Sequence, residues 1–175
     1  MEKILIVIDP QNDFCTKGGS LSNQETEQVA KVLACYISEN EFDKIYVTAD
    51  THQEDYMDTL EGKKLPIAHC KRGEWGWLVN DDVMRSLSQK QNVHSVEKQT
   101  FGFIGWDNLI RKQSEREFTV VGFCTDICVV ANALILRTLF PNSKISVVAN
   151  CCAGTSHERH LSALSVMNSC QIDIV

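Results

Sequence analysis

The sequence has 175 residues, enough for one sizeable hydrophobic core and short for two, so we expect a single domain over residues 1–175. Hydrophobic residues make up 43% of the chain and charged residues 23%, which is typical of a globular protein and excludes a disordered chain. The net charge of −6 argues against binding along a nucleic-acid backbone, because such binding requires clustered lysine and arginine side chains.

The first apolar run covers residues 3–8 and ends at Asp9. It is too short for a signal peptide or a membrane-spanning helix. We therefore expect a cytoplasmic protein without a membrane partner. Disulfides are rare in that compartment, so the eight cysteines are interpreted as thiols.

Strand and helix patterns alternate along the whole chain. Apolar, β-branched runs predict six strands, over residues 3–8, 44–49, 93–97, 117–123, 144–149 and 172–175. Apolar residues at helical spacing predict helices over residues 25–39, 126–139 and 157–169. The alternation indicates βαβ units, and hence a doubly wound, Rossmann-like α/β fold with helices on both faces of a parallel sheet.

One long stretch, residues 51–80, shows neither a strand nor a helix pattern. A loop of that length inside a compact domain is usually functional, so the stretch is predicted to be a lid or binding loop. In open α/β sheets, ligands bind beyond the carboxyl ends of the strands, where the strand order reverses. Residues that can take part in catalysis or ligand binding are therefore better site candidates at strand ends than elsewhere in the chain.

Two charged residues follow predicted strands. Asp9 closes the first strand, where a poorly solvated carboxylate needs a partner or undergoes a rise in pKa, and either outcome suits acid–base chemistry. An aspartate that caps the next turn is an equally good interpretation of Asp9 taken alone. Lys98 follows the third strand and can hold a neighbouring thiolate or carboxylate in its charged form. By itself, Lys98 is better explained as an exposed strand-end lysine.

Cys128 carries the most specific signal, because it lies where the fourth strand turns into a helix. Thr125 or Asp126 is predicted to cap that helix, which puts Cys128 in its first turn. Free backbone N–H groups and the helix dipole favour an anion there, so they lower the pKa of a thiol and can bind an oxyanion. A buried structural thiol is the alternative. A metal-binding pair with Cys124 is disfavoured, because Cys124 precedes the helix.

Asp50, His52 and His69 form a candidate metal site. Asp50 and His52 follow the second strand, and His69 in the long loop can fold back towards them. Two imidazoles and one carboxylate, with coordination positions left over, suit zinc, iron or manganese. A hydrogen-bonded loop histidine is the alternative for His69. Phe14 and Phe101 follow strand ends and can either line an apolar pocket for a flat substrate or anchor their loops.

Five motifs occur in order over essentially the whole chain. They are Asp9-x-Gln11-x-Asp13-Phe14, Asp50-x-His52, Leu65-Pro66-x-x-His69-Cys70, Lys98 and Gly122-x-x-Thr125-Asp126-x-Cys128-Val129. Each motif is weak alone, but together and at this spacing they are specific. The set resembles the isochorismatase-like cysteine hydrolases, and within them the nicotinamidase branch.

The resemblance implies a six-stranded parallel sheet and a catalytic trio of Asp9, Lys98 and Cys128. It implies an oxyanion hole made by the backbone N–H groups of Cys124 and Cys128. It also implies a cis peptide bond between Phe123 and Cys124.

The resemblance further implies a divalent metal ion, commonly zinc, held by Asp50, His52 and His69. The long stretch 51–80 then becomes the substrate and metal loop region. A substrate pocket is expected at three apolar side chains, Phe14, Leu65 and Phe101. The sequence departs from the nicotinamidase pattern at two places in the long loop. Leu65 stands where a tryptophan usually packs on the substrate ring, and residues 53–58 contain no second histidine.

The implied activity is hydrolysis of a small carboxamide, such as nicotinamide, to a carboxylate and ammonia through a thioester on Cys128. Members of the family often assemble, so a homo-oligomer is expected. One alternative is an isochorismatase-type hydrolase of another small substrate, although true isochorismatases lack the catalytic cysteine and the metal ligands. The other alternative is a non-catalytic protein that binds a metal or a small molecule, and the complete trio argues against it.

Overall fold

The computed structural model of the chain describes residues 1–111 and 115–175, and these build one six-stranded sheet. Its strands are Glu2–Ile8 (β1), Lys44–Asp50 (β2), Val93–Lys98 (β3), Arg116–Phe123 (β4), Lys144–Ala153 (β5) and Asp173–Ile174 (β6). Every neighbouring pair is parallel, and the strand order is β3-β2-β1-β4-β5-β6. The chain reverses direction across the sheet between β1 and β4, as in a doubly wound fold. The predicted fold class is confirmed.

Helices cover both faces of this sheet. The described α-helices are Asn12–Cys15 (α1), Gln24–Glu39 (α2), Leu60–Lys64 (α3), Asp81–Leu87 (α4), Trp106–Leu109 (α5), Val130–Leu139 (α6) and His157–Ser169 (α7). Short 3₁₀-helices span Tyr56–Asp58 and Trp75–Trp77, and a π-helical turn over Thr125–Val129 leads into α6. Within the described residues, no helix has the length and apolarity that a membrane crossing needs.

The central strand β1 explains why its sequence is apolar without interruption. Ile4, Ile6 and Ile8 are fully buried in a core that includes residues of α5, α6 and α7. Leu5 and Val7 are fully buried in a second core with residues of α2 and α4. A strand that is covered on both faces has no solvent side, so its side chains do not alternate between apolar and polar.

Strand β5 extends beyond its predicted end at residue 149. The polar, exposed Asn150 interrupts the apolar pattern, which is why the sequence suggests an earlier end. The register between β4 and β5 shifts at this point, and pairing resumes with Gly122 opposite Cys152. The pairing of β5 with β4 is therefore irregular around Asn150 but continues to Ala153.

The long stretch 51–80 is more ordered than predicted, since it holds both 3₁₀-helices and α3. These helices have three to five residues each, which is too short for a helical repeat to appear in the sequence. Thr59 caps α3, because its side chain accepts a hydrogen bond from the Gly62 N–H at 3.0 Å. A capping residue leaves no periodic apolar pattern, so hydrophobic spacing alone does not reveal so short a helix.

The predicted cap of the helix after β4 is wrong. Cys124 occupies the N-cap position, and its side chain makes no capping hydrogen bond. The Thr125 hydroxyl bonds instead to Nδ1 of His160 at 2.8 Å. The Asp126 carboxylate accepts hydrogen bonds from the N–H and the hydroxyl of Thr155 at 2.8 and 2.6 Å. Both side chains are used to fix this turn against the start of α7.

Replacing Gly122 with alanine is expected to destabilise the fold by about 3 kcal/mol or more. Gly122 has φ +120°, and a Cβ there would overlap the carbonyl oxygen of Ile8 on β1. Gly18→Ala is the matched control, because Gly18 has φ +91° but a Cβ there meets no atom of the described residues within 4 Å. Urea unfolding of both variants measures the difference, and equal losses would contradict the backbone-clash explanation.

Candidate active site

The predicted trio meets at the carboxyl ends of the central strands. Asp9 follows β1, Lys98 ends β3, and Cys128 lies in the π-helical turn after β4. The Lys98 Nζ lies 2.7 Å from Asp9 Oδ2 and 3.5 Å from Cys128 Sγ. All three residues are buried. This arrangement lies at the reversal of strand order, where doubly wound sheets bind their ligands.

Asp9 is held from both sides. Its backbone has φ 44°, its N–H donates to Thr48 Oγ1 at 3.0 Å, and the Thr48 hydroxyl donates to Asp9 Oδ1 at 2.6 Å. The second carboxylate oxygen faces Lys98. Burial raises the pKa of Asp9 above its ordinary value, and the nearby Lys98 charge offsets this rise only in part. Asp9 is therefore a carboxylate that can readily accept a proton.

Lys98 contacts the other two members of the trio and one candidate metal ligand. Its ammonium group contacts Asp9, Cys128 and also Asp50, with Nζ 3.2 Å from Asp50 Oδ1. Burial works to lower the pKa of Lys98, but these acidic neighbours outweigh it and raise the pKa above its ordinary value. Lys98 therefore stays cationic and balances the buried carboxylates.

The Cys128 thiol does not have the low pKa predicted from its place at a helix start. Burial raises its pKa well above the ordinary value, and the Asp9 carboxylate adds to the rise, while Lys98 opposes it. Loss of solvation therefore outweighs the expected effect of the helix N-terminus. In the free protein Cys128 is a thiol, so a nucleophilic attack requires a base to take its proton.

The candidate metal ligands also converge. Asp50 Oδ2 lies 2.9 Å from His52 Nε2 and 3.6 Å from His69 Nε2, and one donor atom from each residue falls within a 4.8 Å cluster. Glu61 adds a carboxylate oxygen 3.7 Å from His52 Nε2 and 4.0 Å from His69 Nε2. Two ligands of one zinc ion, each about 2 Å from it, lie roughly 3–4 Å apart. These donor atoms therefore fit one divalent ion.

Two motif residues support the metal ligands. The Gln11 side chain donates to the Asp50 carbonyl at 2.8 Å and accepts from the Asp50 N–H at 2.8 Å, which fixes that residue's backbone. The Asp13 carboxylate accepts a hydrogen bond from the Cys70 N–H at 2.7 Å. Asp13 thus holds the chain directly after His69. The sequence showed both residues as motif positions without indicating these contacts.

A cavity of about 470 Å³ opens beside these groups. The three residues predicted to bind substrate, Phe14, Leu65 and Phe101, all line it. Cys128 also lines the cavity, together with Asp50, His69 and Glu61 of the metal cluster. Cys128 is the member of the trio that lines the cavity, and Lys98 and Asp9 follow behind it, with Lys98 in contact with both.

Some contributors were not identified from the sequence. Glu61 lies in the long loop, where a glutamate is typical of a solvated surface, and only the missing second histidine hints that another ligand is needed. Thr48 is indistinguishable from any β-branched strand residue. The peptide bond between Phe123 and Cys124 is cis, as the resemblance implied. The oxyanion hole at Cys124 and Cys128 stays a prediction.

Comparisons with known proteins identify the family of the chain. Residues 3–175 match the Isochorismatase domain family. A nicotinamidase/pyrazinamidase of Mycobacterium tuberculosis is 26% identical over 192 residues, which cover 99% of this chain and 98% of that protein. The crystal structure of a nicotinamidase/pyrazinamidase from Bacillus subtilis has a TM-score of 0.85 at 25% identity and covers 100% of both chains.

A third relative shares the fold at lower identity. The structure of the pyrazinamidase of Pyrococcus horikoshii in complex with zinc has a TM-score of 0.81 at 22% identity, and covers 100% of this chain and 99% of its own. The family match spans nearly the whole sequence, and these relatives are matched from end to end. The chain therefore belongs to the isochorismatase family, in its nicotinamidase-related branch.

Proposed function

We propose that this amidohydrolase cleaves a small carboxamide of the nicotinamide or pyrazinamide type to its carboxylate and ammonia, through a thioester on Cys128. The observation that carries the proposal is the contact of Lys98 with both Asp9 and Cys128, with Cys128 the one member of the trio that lines the cavity. Related proteins named nicotinamidase/pyrazinamidase support the choice of substrate. The aromatic cavity wall suits a flat ring.

The first step forms the thioester. Asp9 accepts the Cys128 proton as the sulfur attacks the amide carbonyl carbon, which is general-base assistance to a thiol nucleophile. A carbon–sulfur bond forms and the carbonyl oxygen gains the negative charge. In the proposal the backbone N–H groups of Cys124 and Cys128 bind that oxygen. Lys98 balances the buried charge while the proton moves.

The second step releases both products. The protonated Asp9 gives its proton to the departing nitrogen, the carbon–nitrogen bond breaks and ammonia leaves. Asp9 then takes a proton from a water molecule, whose oxygen attacks the thioester. The carbon–sulfur bond breaks, Asp9 passes this proton to the sulfur, and the carboxylic acid leaves and loses its remaining proton to the solvent as it becomes the carboxylate. The raised pKa of Asp9 suits a group that must be both a base and an acid in one cycle.

The proposal includes one divalent metal ion, which we assign as zinc, with iron and manganese as alternatives. Asp50, His52 and His69 would hold it, and Glu61 would supply a fourth ligand. When bound, the ion supplies a Lewis acid at one end of the cavity that orients a ring nitrogen of the substrate. Zinc in the Pyrococcus horikoshii structure supports this assignment.

Zinc is expected to raise the melting temperature of metal-depleted protein. At a free concentration of about 100 times Kd, the stabilisation is about 2.7 kcal/mol, or roughly 5–10 °C for a chain of this size. The shift should vanish in His69→Ala and shrink in Glu61→Gln. Glu54→Gln is the control, because the exposed Glu54 pairs with Lys71 outside the cluster. An undiminished shift in His69→Ala would contradict the assigned site.

Ammonia release from a panel of carboxamides tests the proposed function. The panel contains nicotinamide, pyrazinamide, benzamide and propionamide, assayed with the zinc-loaded protein. We expect turnover of the two heteroaromatic amides, and a lower kcat/KM for benzamide, which lacks a ring nitrogen. Turnover of propionamide alone would reject the aromatic substrate, and no ammonia from any member would reject the function.

Three further predictions belong to this proposal. The protein acts in the cytoplasm, residues 1–175 fold as one domain, and the protein assembles as a homo-oligomer. Equilibrium ultracentrifugation of the purified chain tests the last of these directly.

A further inference from the structure

Asn132 lies on α6, one helical turn after Cys128, and its side chain is fully buried. Its Nδ2 donates to the carbonyl oxygens of Cys128 and Phe101 at 2.8 and 3.1 Å. Its Oδ1 accepts from the Phe103 N–H and from the Trp106 Nε1–H, both at 3.0 Å. An amide side chain has two donor hydrogens and two acceptor lone pairs, so Asn132 uses its full hydrogen-bonding capacity.

These partners belong to two parts of the cavity. Cys128 is the proposed nucleophile, while Phe101 lies on the segment of residues 99–105 that connects β3 to α5 without regular structure. This segment lies directly on α6, because a Cβ at Gly102 would overlap the Ile135 side chain. Three of the four hydrogen bonds of Asn132 go to the segment or to the start of α5. Asn132 is therefore a direct polar link between the cavity wall and the nucleophile's turn.

We propose that Asn132 is a positioning residue that sets the distance between the Phe101 wall and the Cys128 sulfur, and thereby aligns the ring-bearing carboxamide for attack. Asn132 does not line the cavity, so it acts by holding the Phe101 wall against the Cys128 turn rather than by touching substrate. The inference rests on the proposed function for its substrate. The hydrogen bonds of Asn132 are present whether or not the protein hydrolyses a carboxamide substrate.

The physical basis is the sensitivity of attack to geometry. A displacement of about 1 Å at a reacting centre can lower a rate by about 100-fold. Phe101 is 47% exposed, so few neighbours hold its ring and the backbone bond to Asn132 matters more. Asn132→Asp keeps the size and the acceptor oxygens of the side chain. It removes both donors and places a carboxylate oxygen against the carbonyl groups of Cys128 and Phe101. Because these oxygens repel one another, the Phe101 segment is no longer held against the Cys128 turn.

The test is a double-mutant cycle on nicotinamide turnover. Asn132→Asp should lower kcat/KM by about 100-fold in the wild-type background, with a rise in KM, and by less than about threefold in a Phe101→Ala background. Such non-additivity arises only if Asn132 acts through Phe101. Equal losses in the two backgrounds would overturn the proposal. Ser143→Ala, which removes a buried hydroxyl that accepts from the Arg116 N–H far from the cavity, is the control for lost stability.

A second measurement needs no turnover, so it separates failure of this inference from failure of the proposed function. Iodoacetamide and its ring-bearing analogue iodoacetanilide alkylate Cys128, and peptide mass spectrometry gives both rates at that residue. Asn132→Asp should lower the ratio of the iodoacetanilide rate to the iodoacetamide rate by about tenfold. In a Phe101→Ala background, the same substitution should leave this ratio unchanged. If that variant does not fold, Trp106→Phe, which removes one hydrogen bond to Asn132, should lower the ratio less. An unchanged ratio in the folded variant overturns the proposal.

Discussion

Replacing Cys128 with serine is expected to lower kcat for ammonia release by about 10⁴-fold or more. The site is arranged for a thiol, whose proton Asp9 can take while the Lys98 charge balances the buried anion. A serine hydroxyl is a weaker acid than a thiol, and burial in the same place raises its pKa further. Quantification of ammonia under saturating nicotinamide measures the loss, and the thermal unfolding curve confirms that the variant remains folded.

Cys152→Ala is the matched control for removal of a buried thiol. Cys152 lies on β5 in the core, is 2% exposed and is not part of the cavity wall. Its replacement should lower stability modestly and leave kcat within about twofold of the wild type. Retention of more than a tenth of the wild-type activity by Cys128→Ser would contradict the requirement for a thiol at position 128.

Replacing Asp9 with asparagine is expected to separate thiol reactivity from turnover. Ammonia release should fall by about 10³-fold, because the variant lacks the base that takes the Cys128 proton and the acid that protonates ammonia. Alkylation of Cys128 by iodoacetamide near neutral pH should become faster. The Asp9 charge raises the thiol pKa and the Lys98 charge lowers it, so removal of the former leaves the latter to favour the thiolate.

Asparagine suits this position structurally. It tolerates the positive φ of 44° at Asp9, and its side-chain oxygen can still accept from the Thr48 hydroxyl. Asp43→Asn, which alters an aspartate before β2 at the opposite end of that strand, is the charge-matched control. The exposed Cys35 provides an internal reference for the reagent. Slower or unchanged alkylation of Cys128 in Asp9→Asn would contradict the charge coupling.

The fold was predictable because the strands are buried on both faces. The unbroken apolar run of β1 marks a central strand, and alternation with helices leaves few topologies once crossovers are right-handed. The carboxyl ends of parallel strands meet at one edge of the sheet, so the sequence pattern predicts that Asp9, Lys98 and Cys128 lie close together. The later part of β5 was missed because Asn150 breaks the apolar pattern while the pairing with β4 continues.

The candidate metal site includes a residue that the sequence pattern does not identify. Asp50 and His52 follow one strand and were identified from position alone, whereas Glu61 becomes a neighbour only because α3 folds over them. The contact between Lys98 and Asp50 is equally invisible in sequence, because it joins two strand ends that are 48 residues apart. Through it, one buried ammonium group serves both the trio and the metal cluster.

The pKa of Cys128 differs from the value expected from its position at a helix N-terminus. The strand-to-helix pattern correctly located the cysteine in the first turn, and the helix N-terminus was expected to favour a thiolate. The effect of burial depends on the whole fold, and here it is the largest influence on the thiol. The sequence therefore predicts where the candidate nucleophile lies better than it predicts the protonation state of its thiol.

Rapid-quench mass spectrometry of the protein mixed with nicotinamide tests the central claim most directly. Samples quenched in acid within the first turnover should carry one acyl group on the peptide that contains Cys128, and added hydroxylamine should divert that group to the hydroxamate. The adduct should be absent from Cys128→Ser. Steady release of ammonia with no acyl group on Cys128 at any quench time, and no hydroxamate, would contradict covalent catalysis by this cysteine.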